Sequence, residues 1–239
     1  MNNILITICG RGGSKGIPGK NIKLLNGIPL IAYTINTARK YAENKGADIV
    51  LSTDDIDIKK TAEKYGITGD YFRPKEYATD KAGKADVIKD VLLFHEKKNK
   101  KRYEFIIDLD ITSPLRTVDD IEIAIQKLME EKRAINIFSV SSAKRNPYFN
   151  MIEESENGFV KLVKDIGAIK SRQEAPKVYD MNASFCIFRR EYFDFGYEIS
   201  ITEKSLAFEM NHICFDLDEP EDFIIMGLML RENLLDFVI

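Results

Sequence analysis

The chain has 239 residues, a formal net charge of −3 and 44% hydrophobic residues. That length suits one large domain with a sizeable core, spanning residues 1–239, and the near balance of charge excludes a general nucleic-acid or membrane surface. No apolar run reaches transmembrane length, and Met1-Asn2-Asn3 lacks the basic start of a secretory leader, so a cytoplasmic location is expected.

The first element is a strand ending at Cys9, read from the apolar run Ile4 to Cys9. A loop through Asn21 follows, carrying five glycines (Gly10, Gly12, Gly13, Gly16 and Gly19) and three cations, Arg11, Lys15 and Lys20. Glycines let the backbone turn tightly and bring its N–H groups close to an anion, and the cations add the charge that a polyphosphate needs. The loop is therefore read as a nucleoside-triphosphate cradle. It is not a P-loop, because Asn21 follows Gly19-Lys20 and Ser14 stands where the first glycine belongs. Nor is it the dinucleotide fingerprint, because Pro18 and a polar run prevent an immediate helix.

Beyond the loop the spacing predicts a helix over 29–44 and a strand over 48–54 with a small, polar end. Asp54 or Asp55 caps the next helix, which runs through Tyr65 and stops at Gly66. Residues 71–74 are a short strand or a loop. A helix over 85–99, a strand over 105–109 ending in Asp110, a helix over 118–131 and a strand over 134–140 follow. This alternation argues an α/β sandwich with a mostly parallel sheet. From Ser141 the rhythm changes to two strands, near 146–153 and 158–163, joined by a polar turn. Strands over 183–188 and 212–215 and a closing helix over 219–237 complete the chain. Cys9, Cys186 and Cys214 each sit in an apolar segment and read as buried free thiols.

In open α/β sheets ligands bind beyond the carboxyl ends of the strands. The predicted strands are followed by Arg11 to Asn21, by Ser52-Thr53-Asp54, by Asp110 to Ser113, by 141–150 and by Asp216-Leu217-Asp218. Polar groups from distant parts of the chain are thus expected in one crevice. Asp216 and Asp218, two apart in extended chain, point the same way and can share a hard cation such as Mg2+. The plainer reading is that Asp218 caps the last helix and Asp216 is solvated. His95 and His212 lie in no triad-like context.

The stretch Arg11 to Asn21 is similar to the signature of the acylneuraminate cytidylyltransferase family, the CMP-sialic acid synthetases: Arg-x-Gly-Ser-Lys-Gly-x-x-x-Lys-Asn. The resemblance extends along essentially the whole chain. The segment Asp216-Leu-Asp218 resembles the family's Asp-x-Asp element, whose aspartates bind metal. Thr112-Ser113-Pro-Leu-Arg116 matches the family's Thr-Ser-Pro-Leu-Arg, but Asp110 replaces a glutamine that contacts the sugar acid. Arg73 falls where the family contacts the nucleotide, and Lys84 aligns with the serine that reads the cytosine edge. Arg172, Gln173, Pro176, Tyr179 and Asn182 match a further element ending Asn-Gly, whose arginine reaches into a partner's site, while Asp180 replaces a second arginine. Asp110 together with Arg145-Asn-Pro-Tyr-Phe-Asn150 resembles the branch that activates legionaminic acids.

The resemblance implies a three-layer α/β/α Rossmann-like nucleotidyltransferase domain with a hairpin insertion over 141–180 that dimerises. It implies CTP and a nonulosonic acid as substrates and Mg2+ or Mn2+ as cofactor. Lys20, Arg11 and Asp216 are the expected catalytic groups. Arg11, Gly12, Gly13, Ser14, Lys15, Lys20, Asn21, Arg73 and Lys84 are expected on the nucleotide. Asp110, Thr112, Ser113, Arg145, Arg172, Gln173, Tyr179 and Asn182 are expected on the sugar, and Asp216 and Asp218 on the metal. The expected product is a CMP-legionaminic acid, with CMP-N-acetylneuraminate as the near alternative and a nucleotide-binding module without catalysis as a further one. A transferase for a phosphorylated acceptor would need another basic cluster, and only Lys144-Arg145 is left to form it.

Overall fold

The computed structural model describes residues 3–13 and 16–239. Strand β1 (Ile4–Cys9) leads through the glycine loop into a small ribbon, β2 (Leu24–Leu25) and β3 (Ile28–Pro29), and then into α1 (Leu30–Lys45). The chain continues through β4 (Asp48–Ser52), α2 (Ile56–Lys64), α3 (Lys84–Asn99), β5 (Phe105–Leu109), α4 (Val118–Glu130) and β6 (Asn136–Ser142). A separate antiparallel ribbon, β7 (Ile152–Glu154) with β8 (Val160–Leu162), precedes β9 (Tyr179–Arg189), α5 (Arg190–Asp194), β10 (Ser205–Glu209) and α6 (Pro220–Arg231).

The central sheet has the order β10-β6-β9-β5-β1-β4. β1 lies parallel to β4 and β5, and β10 parallel to β6, while β9 runs against both of its neighbours. Strand alternation divides the core. Ile4, Ile6 and Ile8 join Leu30, Ile31 and Ile35 of α1, Ile121 of α4 and Phe223 and Met226 of α6. Leu5 and Ile106 face the other way, onto Ile88, Val91 and Leu92 of α3 and onto Tyr192 and Phe193 of α5. Three layers result, as the alternation predicts. No helix among the described residues is long and apolar enough to cross a membrane. Cys9, Cys186 and Cys214 are free thiols, and burial pushes all three up.

Caps set the helix starts that face the sheet's carboxyl edge. Asp55, not Asp54, caps α2 by accepting the Asp57 and Ile58 N–H groups at 2.7 and 3.0 Å. Thr117 and Asp120 form a reciprocal capping box on α4, and Glu219 and Asp222 form one on α6.

Two expectations are corrected. The strand expected at His212–Phe215 does not form, and the sixth strand of the sheet is β10. The 212–215 segment leaves the ladder: Ser113 Oγ donates to Phe215 O at 3.2 Å and Ser141 Oγ to Cys214 O at 3.3 Å. The last helix stops at Arg231 rather than Phe237, and the chain folds back so that the Phe237 ring lies 3.8 Å from His212.

Candidate active site

The carboxyl ends of β1 and β5 open onto a cleft of about 340 Å³. Gly10, Arg11, Gly16, Lys20 and Asn21 line one side, and Asp110, Thr112 and Asp218 the other. A larger cavity of about 570 Å³ lies between α1 and α4, but Tyr41, Ile125 and Met129 line it and none of the loop or paired-acid residues does.

The glycine loop is fixed at both ends. Gly10 N–H donates to Ser52 O at 3.0 Å, and Gly12 N–H to Asp54 Oδ1 at 3.2 Å. The loop closes through buried Asn21, whose amide donates to Arg11 O at 2.9 Å. Gly19 has φ +64°, a left-handed turn that brings Lys20 back toward the cleft. Arg11 pairs with Asp80. Gly13 stands in open space. Ser14 and Lys15, expected on the triphosphate, lie outside the described residues.

The far end of the chain meets this loop directly. Lys20 Nζ donates to Leu217 O at 2.5 Å and stands 3.4 Å from Asp218 Oδ1. Leu217 N–H donates to Thr112 O at 2.9 Å, so the Asp216-Leu217-Asp218 segment is gripped from two sides. Gly16 backs onto it so closely that a Cβ there would lie 2.5 Å from Asp218 O. Asp218 is not the cap of α6, since Glu219 takes that place and Asp222 accepts the Asp218 N–H at 3.0 Å. Burial, then the like charge of Asp218, raises Asp216 above the usual carboxylate range, with Asp110 adding to the effect. Mutual repulsion of this kind fits a pair that would share a cation. Among the described residues no three His, Cys, Asp or Glu side chains gather as a full cage, so further ligands would come from substrate oxygens and water, as Mg2+ prefers.

Asp110 is the most constrained acid of the cleft. Its Oδ1 accepts the Thr112 N–H and hydroxyl, both at 2.8 Å. Its Oδ2 meets Lys84 Nζ at 2.8 Å, and the same ammonium lies 2.9 Å from Asp108 Oδ2. Burial opposes the charge, but Lys84 and Thr112 outweigh it and hold Asp110 at about 2. Burial also opposes the charge on Lys84, and the two carboxylates raise it well above the ordinary lysine value. Lys84, expected on the nucleotide, is therefore held by two acids. Asp108 went unassigned in the sequence, although residues 108 and 110 share a face by strand alternation.

Other expected residues are placed differently. Ser113 is fully buried and donates to Asn182 O at 2.7 Å, so it holds the wall rather than lining it. Asn182 is 4% exposed; it accepts from Ser139 Oγ at 2.6 Å and donates to Ser141 Oγ at 3.0 Å. Both residues, expected on the sugar, have their polar groups on buried protein partners in this structure. Arg73 is buried and clamps the end of β4, donating from Nε to Ser52 Oγ at 3.0 Å and from Nη2 to Ser52 O at 2.7 Å. Arg116, missed as a site residue, is fully buried and bridges Thr34, Ser184 and the Asp110 carbonyl, and burial lowers it to about 10. Arg145, Arg172, Gln173 and Tyr179 are exposed on the segment around β7 and β8 and are not among the residues lining the cleft. Arg172 donates to Lys144 O at 3.2 Å.

Residues 5–226 match the sequence profile of the family described as cytidylyltransferase. The chain is 38% identical over 233 residues to the post-translational flagellin modification protein B of Campylobacter coli, covering 98% of this chain and 97% of that one. It is 39% identical over 230 residues to the CMP-N,N'-diacetyllegionaminic acid synthase of Campylobacter jejuni, covering 96% of each. Its fold is similar to that of CMP:2-keto-3-deoxy-manno-octonic acid synthetase solved with CTP, with a TM-score of 0.70 at 15% identity, over 97% of this chain and all of that one.

Proposed function

The chain belongs to the cytidylyltransferase family and is a nucleotidyltransferase, and from that premise we propose that it joins CMP from CTP to a nonulosonic acid of the legionaminic type and releases pyrophosphate. The observation that carries this reading is the Lys20 ammonium bonded to the Leu217 carbonyl beside Asp218, which puts the anion loop and the paired acids on one cleft. The 39% identity to the Campylobacter jejuni synthase supports the choice of sugar.

Phosphoryl transfer asks the protein mainly to position reactants and neutralise charge. The Gly13 backbone N–H, with Arg11, Ser14 and Lys15, cradles the triphosphate, while Asp54 holds the Gly12 N–H and shapes the loop. Arg11 exchanges Asp80 for phosphate when the nucleotide binds. Lys20 lies against the α-phosphate, where negative charge grows as the anomeric hydroxyl attacks. The new oxygen–phosphorus bond forms opposite the bond from the α-phosphorus to the α,β-bridging oxygen, which breaks as pyrophosphate leaves, and the hydroxyl proton passes to water. Asp216 and Asp218 would hold Mg2+ or Mn2+, and the ion would supply positive charge to the phosphate oxygens and a lower pKa to the attacking hydroxyl. Asn21 and Arg73 keep the loop and the β4 end in place on the nucleotide side. Asp110 and Thr112 face the acceptor.

The segment over 141–180 is assigned to a homodimer. Ile152, Phe159 and Val160 expose 61%, 74% and 61% of their surface, more apolar area than one ribbon leaves wet without a partner, and Met181 near the start of β9 exposes 50%. In that dimer Arg145, Arg172, Gln173 and Tyr179 serve the neighbouring cleft, an arginine being suited to grip the sugar carboxylate with two prongs. Phe159→Glu should yield monomers by light scattering; an unchanged dimer would remove the ribbon from the interface. The activity is tested with CTP, Mg2+ and a panel of nonulosonic acids, identifying products by mass. A CMP adduct with legionaminic acids in preference to N-acetylneuraminate is expected, and pyrophosphate release with none of them would overturn the reading.

A further inference from the structure

Two residues that depart from the family pattern, Lys84 and Asp110, meet each other at 2.8 Å. They come from different elements, the first turn of α3 and the end of β5. Asp108 completes the group. It is 1% exposed, its Oδ1 accepts the Thr7 hydroxyl at 2.8 Å, and its Oδ2 has no partner but the Lys84 ammonium at 2.9 Å. Two carboxylates therefore share one ammonium. Lys84 donates a hydrogen bond to Asp110 and faces Asp108 as a counter-charge. The Lys84 side chain is 47% exposed and that of Asp110 20%, so the pair meets solvent where Asp108 does not.

The charge arrangement decides what such a pair can do. Asp110 lines the cleft and its field already reaches Asp216. Without Lys84 the Asp108 and Asp110 carboxylates would lose the ammonium that meets both, and an anionic acceptor would be repelled. With Lys84 in place, Asp110 stays ionised yet screened, one oxygen fixed by Thr112 and the other free to accept one more hydrogen bond. That oxygen suits a neutral donor, such as an acylamino N–H or a hydroxyl.

Resting on the cytidylyl-transfer reading, we infer that Lys84 and Asp110 act as one unit on the acceptor side of the cleft. Asp110 accepts a hydrogen bond from an uncharged N–H or O–H of the sugar acid. Lys84 is a positioning residue that supplies the counter-charge and does not read the nucleotide base.

The test compares wild type with Lys84→Met, Lys84→Arg, Asp110→Asn and the Lys84→Met/Asp110→Asn double variant. Acceptor KM, kcat and the calorimetric Kd for CTP are measured for each, with melting curves to show that each is folded. Lys84→Met should raise acceptor KM about tenfold, because it leaves the buried Asp108 and the cleft-lining Asp110 without the ammonium that meets both. The CTP Kd should stay unchanged, Lys84→Arg should restore the KM in part, and the double variant should bind acceptor better than Lys84→Met alone. Asp110→Asn keeps the counter-ion of Asp108, so it folds even if Lys84→Met does not, and it too should raise acceptor KM and leave CTP binding alone. A weakened CTP Kd with unchanged acceptor KM, or a double variant no better than Lys84→Met, overturns the inference. If wild type makes no CMP adduct with any acceptor, the activity reading fails and takes this inference with it. If wild type makes product and the variants match it, only the inference fails.

Discussion

Replacing Gly16 with alanine puts a methyl group between the two halves of the proposed site. The new Cβ would lie 2.5 Å from the Asp218 carbonyl oxygen, whereas ordinary contact begins at 3.4 Å, so loop and acid segment must part by about 0.9 Å. Backbone stands on both sides, and no side chain can rotate away. Such overpacking costs about 1–3 kcal/mol of stability, which leaves most of the molecule folded at assay temperature. The kinetic effect should be larger. Lys20 holds Leu217 O from one side of that contact, and a misplacement near 1 Å between reacting groups costs about a hundredfold in rate. Pyrophosphate release with saturating CTP and acceptor reads kcat, and a melting curve on the same sample shows the fold. Gly69→Ala is the control, since a Cβ there meets nothing within 4 Å. Wild-type kcat in folded Gly16→Ala would refute the claim that the glycine's closeness to Asp218 aligns the site.

Ala183 has φ +57°, a left-handed conformation that strains any residue with a Cβ. Ala183→Gly should stabilise the chain by about 1 kcal/mol, a rise of roughly 2–4 °C in Tm at this size, and a lower Tm would contradict the strain. His212 Nε2 lies 2.9 Å from Asp120 Oδ2. Burial pulls His212 down, but the Asp120 carboxylate outweighs it and the net shift is upward. Asp120 is lowered, its own burial being outweighed by His212 and Thr117. The histidine's contribution is then full below its unfolded value of about 6.5 and disappears as pH rises through its raised folded value. The contribution of Asp120 is full above its unfolded value of about 3.9 and is lost as pH falls through its lowered folded value. His212→Gln should therefore lower Tm most between about pH 4 and 6.5 and progressively less above that, and a deficit constant with pH would count against the ion pair.

Much of the fold was legible because strand alternation and helix spacing carry their own signal. The apolar run Ile4 to Cys9 marked β1, and helical spacing put Val87, Ile88, Val91, Leu92 and Phe94 on the apolar side of α3, where the first four are buried and Phe94 is 38% exposed. β10 was not legible, since Ser-Leu-Ala-Phe-Glu is short and a more apolar run, Ile213-Cys-Phe215, follows it. That run is held outside the sheet by side-chain hydroxyls bonded to its carbonyls, a long-range arrangement that local pattern does not report. The glycine loop and Asp-x-Asp were legible as motifs, and the Lys20–Leu217 contact joins them. Ser113 and Asn182 matched a motif yet proved to be buried ties within the wall, because sequence gives residue type but not exposure. The Lys84–Asp110 pair spans 26 positions, and only its geometry shows that two separate departures from a pattern answer each other.

The central claim is that a cation from the amino-terminal loop and acids from the far end of the chain work on one phosphate. The direct measurement is turnover of Lys20→Ala and of Asp216→Ala with CTP, Mg2+ and a legionaminic acid, alongside their melting curves. Each variant should lose about a hundredfold or more in kcat while staying folded. Wild-type turnover in either folded variant would contradict the account.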